Sequence, residues 1–214
     1  MKQEIYVLGQ IPQTDDMVFL FEQRTSELEK IDSVNVESDG TFHFIIHPVE
    51  PGIYALRFDP GQQVVFIASP GDTIDIIADQ NNFTGSIQVE GNEESALLQT
   101  FYSYSNKNHR KVDSLQSIVE QHKNDPGFYQ LTRQLDSVFA SIWEEQRVYE
   151  KTFIRDHPGT LAALLVINYH FGVRPVLSPD TDYSDFKKVD SGLMANYPQN
   201  KHTQLFHHWL KEIK

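Results

Sequence analysis

The side chains in this 214-residue chain that could do chemistry are carboxylates and imidazoles, and their spacing limits what they can do. Carboxylates are plentiful, Asp72, Asp75 and Asp79 among them, but acid–base work needs two carboxyl groups facing one substrate. Most carboxylates are solvated, so these three read as surface groups. His43 and His47 point from one face of a strand, but four residues of strand separate them by about 13 Å, too far to share a metal. His202, His207 and His208 never fall four apart on a helix, so they read as partly exposed polar-face residues. The chain has no cysteine, which removes disulfides, thiolate nucleophiles, iron–sulfur clusters and Cys-ligated zinc together. Gly-x-Ser-x-Gly, His-Glu-x-x-His, P-loop and Gly-x-Gly-x-x-Gly patterns do not occur, and Pro70-Gly71-Asp72 is a turn leading into a strand rather than a phosphate cradle. The expectation is no catalytic residue, no cofactor and no metal site. Aromatic residues in the strand region could form a sugar platform, although Trp is missing there and core packing explains them.

A net charge of −12 repels phosphate, and the one dense basic cluster, Lys107-Asn108-His109-Arg110-Lys111, reads as a solvated helix face or inter-helix turn. Nucleic acid is therefore excluded as a partner. The longest apolar run, residues 161–167, is far short of the roughly 20 residues that span a bilayer. Met1-Lys2-Gln3-Glu4 passes directly into the strand-like Ile5-Tyr6-Val7-Leu8, without a signal peptide, which fits a cytoplasmic protein or an exported one written without its leader.

The elements that must position these groups divide near Gly91. Before it, Phe42, Phe44 and Ile46 alternate with His43, Ile45 and His47 after Asp39-Gly40, which predicts a hairpin. Pro51-Gly52, Pro60-Gly61 and Pro70-Gly71 bracket strands at 53–58 and 64–68, with further strands at 73–78 and 86–90. Regular strand–turn spacing predicts an antiparallel β-sandwich or small barrel over residues 1–91. From Asn92, a capping residue, the period becomes helical, with Leu97, Leu98, Phe101, Tyr104, Val112, Leu115, Ile118 and Val119 largely on one face. Asp125-Pro126 predicts the start of a second helix with the stripe Leu131, Leu135, Val138, Ile142 and Trp143, antiparallel to the first. Pro158-Gly159 ends it, residues 161–171 predict a buried short helix, and Ser178-Pro179 opens another that carries Phe186, Val189, Leu193 and Met194. Tyr197-Pro198 closes that one, and Asn200 or Thr203 caps the last. The fold class is thus α+β, a sandwich-like domain over 1–91 and an α-helical domain over 92–214.

Several motifs in this order resemble a known family. Leu8-Gly9-Gln10-Ile11, Ile31-Asp32-Ser33 ahead of Asp39-Gly40-Thr41-Phe42, Glu50-Pro51-Gly52-Ile53-Tyr54, Ser69-Pro70-Gly71-Asp72-Thr73-Ile74 and Val89-Glu90-Gly91-Asn92 carry the first half. Phe153-Ile154, His157-Pro158, Leu161-Ala162-Ala163 and Tyr197-Pro198-Gln199-Asn200 carry the second. Together they look like the amino-terminal domain of unknown function that precedes the catalytic domain in TlpA-like or ResA-like bacterial thiol-disulfide oxidoreductases. The resemblance implies a periplasmic or cell-envelope location, a parent protein that is often membrane-anchored, and a thioredoxin-like Cys-x-x-Cys domain following the point where this chain ends. No catalytic position of that family maps onto these residues. The expected role is a non-catalytic accessory region that positions the redox domain or meets a client or a second copy. The rival readings are a free-standing carbohydrate- or peptide-binding module and a metal-independent hydrolase.

The last helix is the most sharply patterned candidate surface. Leu205, Trp209 and Ile213 recur every four residues, Phe206 and Leu210 widen the stripe, and His208, Lys211, Glu212 and Lys214 lie towards the other side. Leu205 and Trp209 are expected as anchors on the helical domain, with Phe206 and Leu210 left as a docking edge for the missing domain or a second copy.

Overall fold

The computed structural model describes residues 3–11, 17–25, 27–59 and 62–213. Met1, Lys2, Lys214 and the Pro60-Gly61 turn lie outside them. The first half folds as two four-stranded sheets. One has the order β4(Thr41–Ile46)–β1(Ile5–Gln10)–β7(Thr73–Ile77)–β8(Gln88–Glu90), the other β3(Leu28–Asn35)–β2(Met17–Gln23)–β5(Gly52–Asp59)–β6(Gln62–Ala68). Pairing is antiparallel throughout except between β1 and β7, which run parallel. Period-2 alternation turns Phe42, Phe44 and Ile46 inward to meet Leu20, Leu56 and Phe66 between the sheets. Within the first sheet Phe42 lies over Gly9, its partner in register, where a Cβ would sit 1.9 Å from the ring.

Asp39-Gly40 does form a tight turn, with Gly40 at φ 84° and its N–H donating to the Glu37 carbonyl. The predicted hairpin is not formed, however, because β4 pairs with β1 and not with β3. The turn carries the chain from one sheet to the other. Turn chemistry is local, whereas the choice of neighbour is made by the hydrophobic face that must meet the core.

β5 is buried without interruption from Gly52 to Leu56 because both of its faces are covered. Tyr54 and Leu56 face the sandwich, while Ile53 and its register partner Ile67 face the helices. Between the layers, Asn92 caps α2(Glu93–His122) by accepting from Ser95 N at 2.8 Å, and its amide donates to the Ile67 carbonyl and to Asp72. Gly91, at φ 122°, lets this corner close, since a Cβ there would sit 2.0 Å from the Thr73 carbonyl oxygen.

α2 and α3(Phe128–Asp156) are antiparallel, with Asn108 meeting Gln146 and Lys111 meeting Glu145. No residue in 109–141 is buried, so the far halves of both helices form an arm beyond the core. The basic cluster lies within α2, not at a turn, with Lys107 and Arg110 exposed and Asn108 turned inward. α3 begins at Phe128 rather than Pro126, because the Asp125 carboxylate is held by His122 Nδ1 at 2.7 Å and does not cap. α4(Leu161–Ile167) is buried as expected but ends at Ile167, and residues 168–171 instead lead into the two-residue strand pair β9(His170–Phe171) and β10(Arg174–Pro175). The expected strand at 86–90 is likewise shorter, since 80–86 form a 3-10 turn and a single helical turn, α1(Phe83–Ser86). α5(Pro179–Asn196) starts from the Ser178 cap, and α6(Lys201–Glu212) from Asn200, which accepts from His202 N and donates to the Pro51 carbonyl.

α6 packs with its stripe turned by about one residue from the setting expected, keeping Trp209 against Phe186 and Phe206. Phe206 and Leu210 are buried against Phe186, α4 and Ile53, while Leu205 is 45% exposed and Ile213 43%. A docking edge at Phe206 and Leu210 is therefore corrected: both are core residues, and Leu205 with part of Trp209 forms the exposed remainder. The stripe spans five positions, and the packing of α6 on α5 and β5 picks its Phe206 side. Leu210→Ala should lower the unfolding free energy by at least about 2 kcal/mol, whereas Leu205→Ala should change it by less than about 0.5 kcal/mol, both read from urea unfolding.

Candidate functional site

A cleft of about 440 Å³ opens where the end of β2 meets α4 and α6. Leu164, Leu165, Leu205, Phe206 and Trp209 give it an apolar wall, and Gln23, Arg24, Asn168 and His202 supply the polar groups. The helical layer builds this wall because α4 is apolar nearly all round, and α6 leaves Leu205 and Trp209 at the rim. Mixed lining of this kind suits a ligand or side chain with a large apolar surface.

Its cations are already neutralised. Arg24 pairs with Glu29 at 2.6 Å and Glu22 at 3.0 Å, and Lys201 pairs with Glu22 as well. His202 is buried, against the expectation of a polar-face histidine, because Asn200 starts α6 so that its first turn faces β2. Burial, reinforced by Lys201, pushes its imidazole down to about 4, with Glu22 and the Gln23 backbone pulling the other way, so it is neutral at physiological pH. Among the described residues, its Nε2 has no hydrogen-bond partner. His207 instead binds Asp190 at 2.8 Å, and His208 lies on the exposed side with Glu212.

The other sequence candidates are not brought together. Asp72 closes its own turn by accepting from Ser69 N and Asn92, Asp79 caps the 3-10 turn, and Asp75 is exposed on β7. His43 and His47 are both exposed on or just after β4, with His47 near Glu4. Among the described residues, no three His, Asp or Glu side chains could hold one metal ion.

Two buried polar groups escaped the sequence reading. Between α2 and α3, Gln146 accepts from Asn108 at 3.1 Å and donates to Ser105 at 2.9 Å and Glu150 at 3.1 Å. Burial lifts the Glu150 carboxyl to about 8, and its Oε2 has no partner among the described residues. A signal was present: Leu98, Phe101, Ser105 and Asn108 share one helical face, as do Ile142, Gln146, Glu150 and Phe153, so the polar residues continue the apolar stripes. These groups are sealed from solvent, so they can store a proton but meet no substrate. The second group is Asp182 at the kink of α5, bound by Arg147, by Lys151 at 2.6 Å, by Ser178 N at 3.1 Å and by Thr181 at 2.8 Å.

Residues 6–98 match a protein-family model described as a domain of unknown function (DUF4369). The match takes in both sheets and the first turns of α2, ending at Leu98, the first large apolar residue of α2 to be fully buried. No curated protein matches the chain. Among the described residues, no helix is long and apolar enough to cross a membrane.

Proposed function

We propose that this chain is a non-catalytic interaction module, the accessory region of an exported thiol-disulfide oxidoreductase, which holds or orients a thioredoxin-like domain or presents it to a client in the periplasm or cell envelope. The family match supports the domain-of-unknown-function part of this reading, and the motif order described above supports the redox partner. The observation that carries the interaction role is the cleft between β2, α4 and α6, whose rim residue Leu205 is left 45% exposed next to Trp209. Covering such a rim releases about 25 cal/mol per Å² of apolar surface, a driving force available to a docking surface and of no use to an acid–base catalyst.

Reading the encoding gene past the codon for Lys214 tests the partner. A thioredoxin-like continuation with Cys-x-x-Cys is expected, and a stop codon would leave the cleft to a free-standing module. Trp209 tests the surface. In a Trp143→Phe background its emission should shift to the blue when that redox domain is added, and Leu205→Glu should abolish the shift while leaving thermal unfolding unchanged. An emission spectrum indifferent to the added domain would reject the cleft as the docking face.

A further inference from the structure

Among the described residues the sandwich has four outer strands, and three of their edges are managed. β3 carries Glu29, Lys30 and Asp32 and pairs with β2 through a bulge. β6 is closed by α2, where Ser95 Oγ accepts from Ile67 N and donates to the Ile67 carbonyl, which also accepts from Asn92. β8 is three residues long, and the carbonyl of Ile87 just before it accepts from Gln99 of α2. β4 has none of these protections: its six residues, Thr-Phe-His-Phe-Ile-Ile, contain no charge and no proline, and its register with β1 is unbroken. Uncharged, regular edges are the ones that recruit another strand.

Register gives the direction of its backbone groups. Ile11 N donates to the Gly40 carbonyl, so residues 42, 44 and 46 continue the bonds towards β1, and residues 41, 43 and 45 turn theirs to the free edge. Thr41 is consumed locally, its N–H by Asp39 and its carbonyl by Glu37 N. His43 and Ile45 remain, and among the described residues no strand lies beside them. Their side chains sit on the exposed face next to Leu8 and Tyr6, which are each 43% exposed.

We infer that β4 is a homotypic interface, at which a second copy of this chain adds its own β4 in antiparallel register. Centring the two-fold axis on Phe44 places His43 opposite Ile45 of the second copy, and Ile45 opposite its His43, so the free donors and acceptors of each copy meet those of the other. Self-pairing requires that no charge face its own image, and β4 meets that condition where β3 does not. The interface is separate from the cleft and does not depend on what the cleft binds. Because each copy carries a net charge of −12, long-range repulsion opposes association, and salt should strengthen it.

Sedimentation velocity of the full chain over a concentration series tests the inference. A dimer that grows with concentration and with added salt is expected, with the His43 and Ile45 amides becoming protected from hydrogen exchange in step. Ile45→Lys puts two like charges about 7–8 Å apart across the axis and should weaken the dimer at least tenfold. Ile45→Pro removes one free donor without touching the β1 ladder and should act in the same direction. Leu205→Glu should leave association unchanged. A chain that stays monomeric throughout at high salt, or a dimer that Leu205→Glu dissolves and Ile45→Lys leaves intact, would overturn it.

Discussion

Asp182→Ala should destabilise the protein by about 3–5 kcal/mol, the usual cost of removing one partner from a buried ion pair. Asp182 is 2% exposed and joins two helices, because Arg147 and Lys151 reach it from α3 while Ser178 N and Thr181 bind it from the start of α5. Burial alone would raise its carboxyl. The hydrogen bonds from Arg147, Lys151, Ser178 and Thr181 outweigh that and hold it well below the usual carboxylate range. A depressed carboxylate stabilises fully above its unfolded pKa, near 3.9, and the stabilisation fades as pH falls below that value. The deficit of Asp182→Ala relative to wild type should therefore be full at neutral pH and shrink in acid. Lys151 retains Asp185 at 3.4 Å as an alternative partner, which places the cost on Arg147 and on the uncapped Ser178 N–H. Asp180→Ala, at an exposed position on the same turn, should change stability by less than about 0.5 kcal/mol. Urea unfolding of both variants makes the comparison, and equal losses would show that the network contributes nothing specific.

The parts of this fold that could be read from the sequence are those decided within a few residues. Phe42, Phe44 and Ile46 point inward because strand period leaves no other choice, and Asn92, Ser178 and Asn200 each cap the helix that follows them. What could not be read was decided across the chain. Asp39-Gly40 is turn chemistry in any context, yet β4 leaves β3 for β1 because its inner face must meet the other sheet. The stripe of α6 admits two settings about one residue apart, and the packing of Phe206 on Phe186 selects the one that exposes Leu205. His202 looked like a surface histidine only while the face of α6 turned towards β2 was unknown. The cleft has the same origin, being assembled from positions 23–25, 53, 164–168 and 202–209, which no local pattern connects.

Glu150 carries the largest expected pH effect. Its side chain is fully buried between α2 and α3, with Gln146 donating to one oxygen and, among the described residues, no donor to the other. Burial raises the carboxyl to about 8, against the opposing hydrogen bond from Gln146 and the charge of Arg147, while Asp182 adds to the rise. At neutral pH the folded protein therefore keeps a proton that the unfolded chain, with a pKa near 4.3, has lost. At this site the native state binds more protons throughout that interval, so the contribution of Glu150 to stability falls as pH rises from about 4.5 to about 8 and levels off beyond it. Integrated over the interval, the loss is on the order of 5 kcal/mol. Glu150→Gln keeps the shape of the protonated acid and has no proton to lose, so it should match wild type near pH 4.5 and exceed it by most of that amount near pH 9. His109 and His202, both shifted down, titrate identically in the two proteins and cancel in the difference. Urea unfolding of the pair across this range provides the measurement. Parallel stability curves would mean that Glu150 is ionised in the native state and that the charge of Arg147, rather than a stored proton, satisfies it.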